Sequence, residues 1–331
     1  MKIIETTSDL EKIEKGCVLT IGNFDGVHIG HQQILNAAKK TAAENQTLLI
    51  AMTFEPHPVA ILHPENSPGV LTALALKRHL LAESGADLLL VLKTNAELLN
   101  LSPKDFVEQF LVENVRPSVV IEGENFNFGY RRIGNKHTLQ QLGHEKGFQV
   151  SVIEPEKIKL STNETIRVSS TLIRNLLEAG SVADAAVALS RPYRLIGQVV
   201  PGHGKGKQLG FPTANLQPLQ QIIPAEGVYA GFVQLGGTEK DVCPKGELIP
   251  AALSIGRAQT LAADRPRLAE AHLLIKNVPE LTDKWLAMDF VQRIRHQIKF
   301  DTEKQLANQI KKDCKKARNI LTAEYAEDAE L

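Results

Sequence analysis

At 331 residues the chain is long enough for about two domains, and its 43 % hydrophobic content is ample for buried cores. Its 38 basic and 38 acidic residues cancel, so bulk charge gives no case for nucleic acid or a membrane surface as a partner. Cys17, Cys243 and Cys314 are widely spaced and lack a C-x-x-C, which fits neither a disulfide framework nor a zinc cluster and points to a reducing, cytoplasmic setting. The segment 1–15 is polar, with no signal-peptide core. No apolar run approaches the roughly 18 residues that a membrane span needs.

Along the first half, apolar runs at 17–21, 48–54, 88–92, 119–121 and 150–153 predict buried strands. Between them, 32–44, 73–84 and 103–114 predict helices, the last entered through Ser102 as N-cap and Pro103 at the first helical position. Strands alternating with helices imply βαβ units and a parallel sheet covered on both faces. A further helix is expected over 170–179, with Leu172, Ile173, Leu176 and Leu177 on one face and Gly180 at its end. After Arg191-Pro192 the pattern changes. Runs at 195–200, 228–233, 251–255, 269–274 and 286–292 read as strands with no helices between, so an antiparallel barrel or sandwich is expected. A helix over 303–321 closes it, followed by an acidic, frayed tail at 322–331. The domains are placed at 1–188 and 189–331.

The first strand leads into Gly22-Asn23-Phe24-Asp25-Gly26-Val27-His28-Ile29-Gly30-His31. A strand that turns through glycine into a helix start is an anion site, because unpaired backbone N–H groups and the helix dipole meet there. Gly22 and Gly26 let the backbone approach closely, and His28 and His31, three apart on the first turn, can donate to phosphate oxygens. Three later segments fit a phosphate site. Thr53-Phe54-Glu55-Pro56-His57-Pro58 holds His57 in a stiff loop at a strand end, where open α/β sheets bind ligands. Gly123-Glu124-Asn125-Phe126-Asn127-Phe128-Gly129 precedes Arg131 and Arg132, and suits an aromatic, phosphorylated ligand, although its phenylalanines can equally pack the core. Arg167-Val168-Ser169-Ser170-Thr171 places hydroxyls at a helix start beside an arginine.

These four segments resemble the nucleotidyltransferase superfamily and, through G-N-F-D-G, its flavin-adenylylating branch: the first half of the bifunctional riboflavin kinase/FMN adenylyltransferase family. The resemblance implies a Rossmann-like domain in which an FMN phosphate oxygen attacks the α-phosphorus of ATP and expels pyrophosphate. That nucleophile is already ionised, so positioning and charge neutralisation suffice. Family likeness assigns His28 and His31 to the phosphates, Arg167, Ser170 and Thr171 to the opposite side of the triphosphate, Gly22 to Gly26 to ATP, and His57 and Asn125 to the flavin. Asn125 stands where the family commonly has aspartate.

In the second half, Gly202, Gly204 and Gly206 alternate with His203, Lys205 and Lys207, offering backbone N–H donors and point charges to ATP phosphates. Pro212-Thr213-Ala214-Asn215 then presents a hydroxyl and a carboxamide two residues apart, on one side of an extended segment. Both are hard oxygen ligands suited to magnesium. This stretch is similar to the riboflavin kinase signature, with Lys205 where arginine is more frequent. Glu270 lies in a strand-like run, on one face with His272. Phosphorylating an un-ionised ribityl hydroxyl benefits from a base, and the resemblance makes Glu270 that base and Arg295 a flavin-end residue. Two stretches depart from the family: Arg257-Ala258-Gln259-Thr260 replaces an N-P-T run, and Leu281-Thr282-Asp283-Lys284-Trp285 replaces an aspartate-leucine-tyrosine-glycine run.

The reading is therefore α/β. A Rossmann-like, parallel-sheet nucleotidyltransferase domain precedes an antiparallel β-barrel with a closing helix, and the chain makes FMN and then FAD from riboflavin and Mg·ATP. An FAD synthetase with a degenerate barrel stays open. So do transfer to another phosphorylated acceptor and a non-catalytic nucleotide-sensing or RNA-binding protein. Oligomeric state is not legible.

Overall fold

The apolar runs of the first half become strands β1 (Lys2–Ile4), β2 (Val18–Ile21), β3 (Leu49–Glu55), β4 (Leu88–Lys93), β5 (Val119–Gly123) and β6 (Gln149–Ile153). In this computed structural model, which describes residues 1–5, 15–62, 64, 69–201, 210–218, 220–257 and 267–328, they form one six-stranded sheet ordered β1-β4-β3-β2-β5-β6. Every pairing in it is parallel. From β2 the chain winds outward through β3 and β4, then returns to β5 on the other side of β2. That reversal makes the crevice at the carboxyl ends of β2 and β5 a topological switch point, where doubly wound sheets bind ligands.

Both sheet faces are covered, which is why these strands read as continuous apolar runs rather than alternating ones. Leu19, Ile21, Ile50, Met52 and Val120 pack with Phe106, Leu111, Leu139 and Phe148 on one face. On the other, Val18, Leu49, Val119 and Ile121 meet Ala38 and Ala42 of helix α1 (Ile29–Glu44).

The helix expected over 103–114 is entered as anticipated, with Ser102 accepting from the Asp105 amide. It then widens: Phe106–Val115 is a π-helix, ended where Arg116 N–H donates to the Leu111 carbonyl five residues back.

Chain contacts divide the molecule into two compact units, one of Met1–Pro68, Lys77–Ile158 and Thr165–Val168, the other of Gly69–Leu76, Lys159–Glu164 and Ser169–Leu331. The second unit holds helix α2 (Ser170–Ala179), the helix Val182–Leu189 and a closed barrel. The barrel strands are β7 (Tyr193–Val200), β8 (Ala214–Pro218), β9 (Gly227–Gly236), β10 (Ile249–Arg257), β11 (Arg267–Leu273) and β12 (Trp285–Arg295). Their order is β7-β8-β11-β10-β9-β12, and antiparallel pairing of β7 with β12 closes the ring. Closure leaves no open edge among these strands.

Helix α3 (Glu303–Asp328) docks on the barrel through Cys314, Ala317 and Leu321, against Val228, Ala230 and Ile294. It continues to Asp328, through residues that the sequence reading gave to a frayed tail. A 3-10 turn at Glu239–Val242 lies between β9 and β10.

Candidate active sites

At the end of β2, the turn to α1 is buried and tightly wound. Phe24, Asp25 and Val27 are each at most 2 % exposed. Phe24 (φ 45°), Gly26 (φ 90°) and Val27 (φ 40°) all lie in the left-handed region. For β-branched Val27 that conformation is strained, and such strain persists only where the surroundings enforce it. Val27 N–H donates to the Phe24 carbonyl, Gln32 Nε2 donates to the Val27 carbonyl, and Thr53 Oγ1 donates to the Asn23 carbonyl. At Gly22 a Cβ would lie 3.3 Å from the Phe24 ring, so the lack of a side chain there gives that ring its room.

His28 is the N-cap of α1, and its Nδ1 accepts from the His31 amide at 3.3 Å. An accepting Nδ1 puts the proton of the neutral ring on Nε2, making that nitrogen a donor. The His28 and His31 rings stack with centroids 3.6 Å apart and planes 17° from parallel, and Phe24 meets His31 edge-on at 5.4 Å. Gly30 makes the stack possible, since a Cβ there would come within 3.3 Å of His28 Cε1 and Nδ1. The H-x-G-H spacing thus builds a paired imidazole platform at the amino end of a helix, a place that favours anions.

Across the switch point, the β2–β5 ladder ends at Leu19–Val120. The Ile21 amide turns instead to the Glu122 carboxylate, Oε1 accepting at 2.5 Å. Glu122 is 3 % exposed. Burial pushes its carboxyl well above the usual range, and the Ile21 amide opposes this only in part. Sequence reading missed this residue because one acid in V-V-I-E-G looks like the exposed end of a strand. Just beyond β5, Asn125 is exposed, and Glu124 pairs with Lys136 at 3.0 Å. The Glu124 carboxyl is held low, first by that hydrogen bond and also by the charge of Arg167. Arg167, at the end of the short strand Thr165–Arg167, is therefore brought near the segment that carries Asn125. Of the nearby aromatics, Phe128 enters the core.

His57 follows a cis Glu55–Pro56 peptide, and its Nδ1 accepts from the Val59 amide at 3.2 Å. Lys77, unremarked in the sequence, is only 4 % exposed. Burial lowers its ammonium pKa, while the charges of Asp25 and Glu55 oppose that. One buried cation thus feels acids from both the turn after β2 and the end of β3.

In the second unit, Ser169 rather than Ser170 caps α2, accepting from the Leu172 amide at 3.1 Å. Ser170 and Thr171 form the first turn, half-buried and exposed respectively. On the barrel, Thr213 and Asn215 alternate with buried Ala214, so the two share a face. Asn215 pairs directly across from Glu270, and Glu270 across from Ser254 on its other side. Opposed residues of an antiparallel pair have Cβ atoms about 4.5–5.5 Å apart, so the carboxamide and the carboxylate are close neighbours. His272, on the Glu270 face, has Nδ1 2.8 Å from the Pro212 carbonyl oxygen and Phe211 edge-on at 5.4 Å. Gly202, Gly204, Lys205, Gly206 and Lys207 lie outside the described residues, as do 258–260 of the departing stretch.

Arg295 is committed within the protein. Its Nε and Nη2 grip the Asp313 carboxylate of α3, Nη2 to Oδ2 at 2.7 Å, and Nη1 donates to the His296 carbonyl. Gln309 Nε2 also donates to Asp313, to Oδ1 at 2.9 Å. The three thiols are free and buried, and desolvation drives Cys17 up to about 12 and both Cys243 and Cys314 to about 11.

Comparison with known proteins fits this two-site arrangement. A family model described as FAD synthetase matches residues 10–172, and one described as riboflavin kinase matches 189–321. A bifunctional riboflavin kinase/FMN adenylyltransferase of Pseudomonas fluorescens is 34 % identical over 320 residues, 97 % of this chain and 98 % of its own length. The chain belongs to this family. Its Escherichia coli K12 member is 33 % identical over 321 residues, again covering 97 % of this chain and 98 % of that one. A crystal structure from Streptococcus pneumoniae described as a macrolide-efflux protein superposes with a TM-score of 0.81 at 25 % identity, covering 96 % of this chain and 99 % of that one. Among the described residues, no helix is long and apolar enough to cross a membrane.

Proposed function

We propose that this member of the riboflavin kinase/FMN adenylyltransferase family phosphorylates riboflavin to FMN on the barrel and adenylylates FMN to FAD on the parallel-sheet unit. The observation that carries the reading is the pair of phosphate-handling constellations: stacked imidazoles at a helix start by the switch point, and Thr213, Asn215 and Glu270 on one barrel face.

In adenylyl transfer, an FMN phosphate oxygen bonds to the α-phosphorus of ATP as the bond to the β-phosphate oxygen breaks and pyrophosphate leaves. His28 and His31 donate to the phosphates, with Arg167, Ser170 and Thr171 as further donors. His57 and Asn125 serve the flavin, and the turn from Gly22 through Asn23, Phe24, Asp25 and Gly26 shapes the nucleotide site. These groups act by fixed positioning and charge neutralisation.

In the kinase reaction, the terminal ribityl hydroxyl attacks the γ-phosphorus of ATP. Glu270 accepts its proton, and ADP leaves. The Thr213 hydroxyl and the Asn215 carboxamide oxygen fit Mg²⁺, being hard donors on a shared face with an acidic neighbour. When bound, the ion neutralises phosphate charge. Gly202, Gly204, Lys205, Gly206 and Lys207 cover the phosphates. Arg295 serves the flavin end, as family likeness implies, while its grip on Asp313 anchors α3 against the barrel. Free, buried thiols suit a cytoplasmic enzyme acting on small molecules.

The deciding experiment is one incubation with riboflavin and Mg·ATP, with chromatographic separation of riboflavin, FMN and FAD. FMN followed by FAD is expected. FAD made only from supplied FMN would identify the barrel as a degenerate scaffold, and no flavin turnover at all would favour a nucleotide-sensing or RNA-binding role.

A further inference from the structure

A row of side chains crosses the barrel at the level of Glu270. Asn215 on β8 stands opposite Val200 on one side and Glu270 on the other. Glu270 on β11 stands opposite Ser254 on β10, and Ser254 opposite Val228 on β9. Three polar side chains are thus bracketed by two valines. Directly opposed residues share a face, with Cβ atoms about 4.5–5.5 Å apart. Along its own strand, the same-face neighbours of Ser254 are Ala252 and Gly256. Of these four neighbours, Val228, Ala252, Gly256 and Glu270, the glutamate alone has a side chain that accepts a hydrogen bond.

Gln297, just beyond β12, decides which way the Ser254 hydroxyl points. Its Nε2 lies 3.0 Å from the Ile255 carbonyl oxygen and 3.1 Å from Ser254 Oγ. A carbonyl can only accept, so the amide nitrogen and not the amide oxygen must face this pair. Ser254 Oγ is therefore the acceptor in its bond with Gln297, and its own proton has to go elsewhere. Val228 offers hydrocarbon; Glu270 offers a carboxylate. Among the described residues that proton has no acceptor within hydrogen-bond distance. The last torsion of a glutamate is soft, and catalytic hydrogen bonds tighten as the reacting complex assembles, so Glu270 can meet the hydroxyl without any backbone movement. Ser254 and Glu270 are both half-buried, and a hydrogen bond to an ionised group is roughly twice as strong as a neutral one.

We propose that Ser254 is a positioning residue for riboflavin phosphorylation: its hydroxyl, aimed by Gln297, donates to one carboxylate oxygen of Glu270 and turns the other toward the Asn215 side of the row. This rests on the assignment of Glu270 as the base. The ribityl proton passes to that second oxygen as the ribityl oxygen bonds to the γ-phosphorus and the bond to the departing ADP oxygen breaks. Ser254 keeps its own proton throughout. Its contribution is to hold the base in one orientation, so its loss falls on kcat and leaves substrate binding in place.

The test uses full-length protein carrying Ser254→Ala, Ser254→Thr, Gln297→Met or the double change Ser254→Ala/Gln297→Met, with riboflavin phosphorylation measured at varied riboflavin and Mg·ATP. Ser254→Ala should lower kcat by about 10- to 100-fold, the scale of one lost hydrogen bond to a charged group, with KM for both substrates little changed. Ser254→Thr keeps the hydroxyl and should recover most of the loss. Gln297→Met should lower kcat as well, yet add nothing in the Ser254→Ala background, because it acts through the hydroxyl. General damage to the barrel would raise KM and escape rescue by threonine. An unchanged kcat in Ser254→Ala, an equal loss in Ser254→Thr, or additive losses in the double variant would overturn the proposal. Glu270→Gln separates the underlying assignment. Full kinase turnover in that variant refutes the base, whereas loss there with none in Ser254→Ala refutes only the positioning role.

Discussion

Replacing Glu122 with glutamine should stabilise the parallel-sheet unit at neutral pH, and the gain should grow as pH rises. The carboxyl is 3 % exposed, and burial holds its pKa well above the ordinary glutamate value. A folded-state pKa raised in this way means that the native state keeps a proton the unfolded chain has released. Stability from this site is therefore full below the unfolded value of about 4.3 and is lost as pH climbs from there through the raised folded value. Glutamine has no proton to lose and keeps a carbonyl oxygen for the Ile21 amide, which Glu122 now binds at 2.5 Å. Leucine at the same position fits the apolar surroundings but leaves that amide buried without an acceptor, a cost of about 1–3 kcal/mol. That corresponds to about 2–4 °C in Tm for each kcal/mol in a domain of this size. Urea unfolding followed by far-UV circular dichroism at pH 4, 6 and 8 separates these effects. Wild type and Glu122→Gln should coincide at pH 4 and diverge above it, with Glu122→Leu less stable than Glu122→Gln throughout. A gap between wild type and Glu122→Gln that is independent of pH, or wild type gaining on the glutamine variant as pH rises, would show that the carboxyl ionises in its usual range and that the reasoning fails.

Three further outcomes are expected. His31→Ala should lower FAD formation from FMN by about two to four orders of magnitude, on the scale of losing a transition-state donor, while FMN formation stays near wild type; equal losses would point to a folding defect. Glu270→Gln should cost the kinase about 10²–10⁴-fold and spare Mg·ATP binding to the barrel measured by calorimetry, whereas Asn215→Ala should weaken both; full turnover in Glu270→Gln would place the base elsewhere. Asp313→Ala strands the Arg295 guanidinium, which is 18 % exposed, and should cost about 3 kcal/mol or more in thermal or urea unfolding; an unchanged midpoint would show that the pair does not anchor α3.

Most strands of both units could be read from the sequence, because runs such as 49–54 and 88–92 are apolar for the simple reason that both sheet faces are covered. Strand β1 escaped notice: three residues, only one of them buried, carry no periodicity. The helix Val182–Leu189 also escaped, its V-A-D-A-A-V-A-L run offering no polar face to set a period. The widening of Phe106–Val115 into a π-helix has no signature in the apolar spacing, which reads the same for an ordinary helix. At the site, H-x-G-H announced itself, but the reason for its glycine, the ring of His28 lying over Gly30, needed coordinates. Glu122 and Lys77 could not be found by pattern at all, since a single charge in an apolar or helical run looks like a solvated position until its burial is known. Nor does chain order reveal that α2 packs with the barrel, because that follows from contacts distant in sequence.

Strand β1 has a bearing on how this protein behaves at high concentration. Lys2–Ile4 covers the flank of β4, with Lys2, Ile3 and Ile4 opposite Leu88, Leu89 and Leu90. Without it, Leu88–Leu90 would present unpaired amides and carbonyls along three consecutive buried apolar residues, a template onto which another copy could add a strand. Three residues, with a lysine leading them, stand between that surface and self-association. Deleting residues 1–5 should leave both chemistries intact in dilute solution while producing concentration-dependent scattering and thioflavin binding on storage, and a clear, monodisperse truncated sample would show that the flank is shielded by something else. Anything that pulls on the first residues therefore acts on colloidal stability through this one short strand.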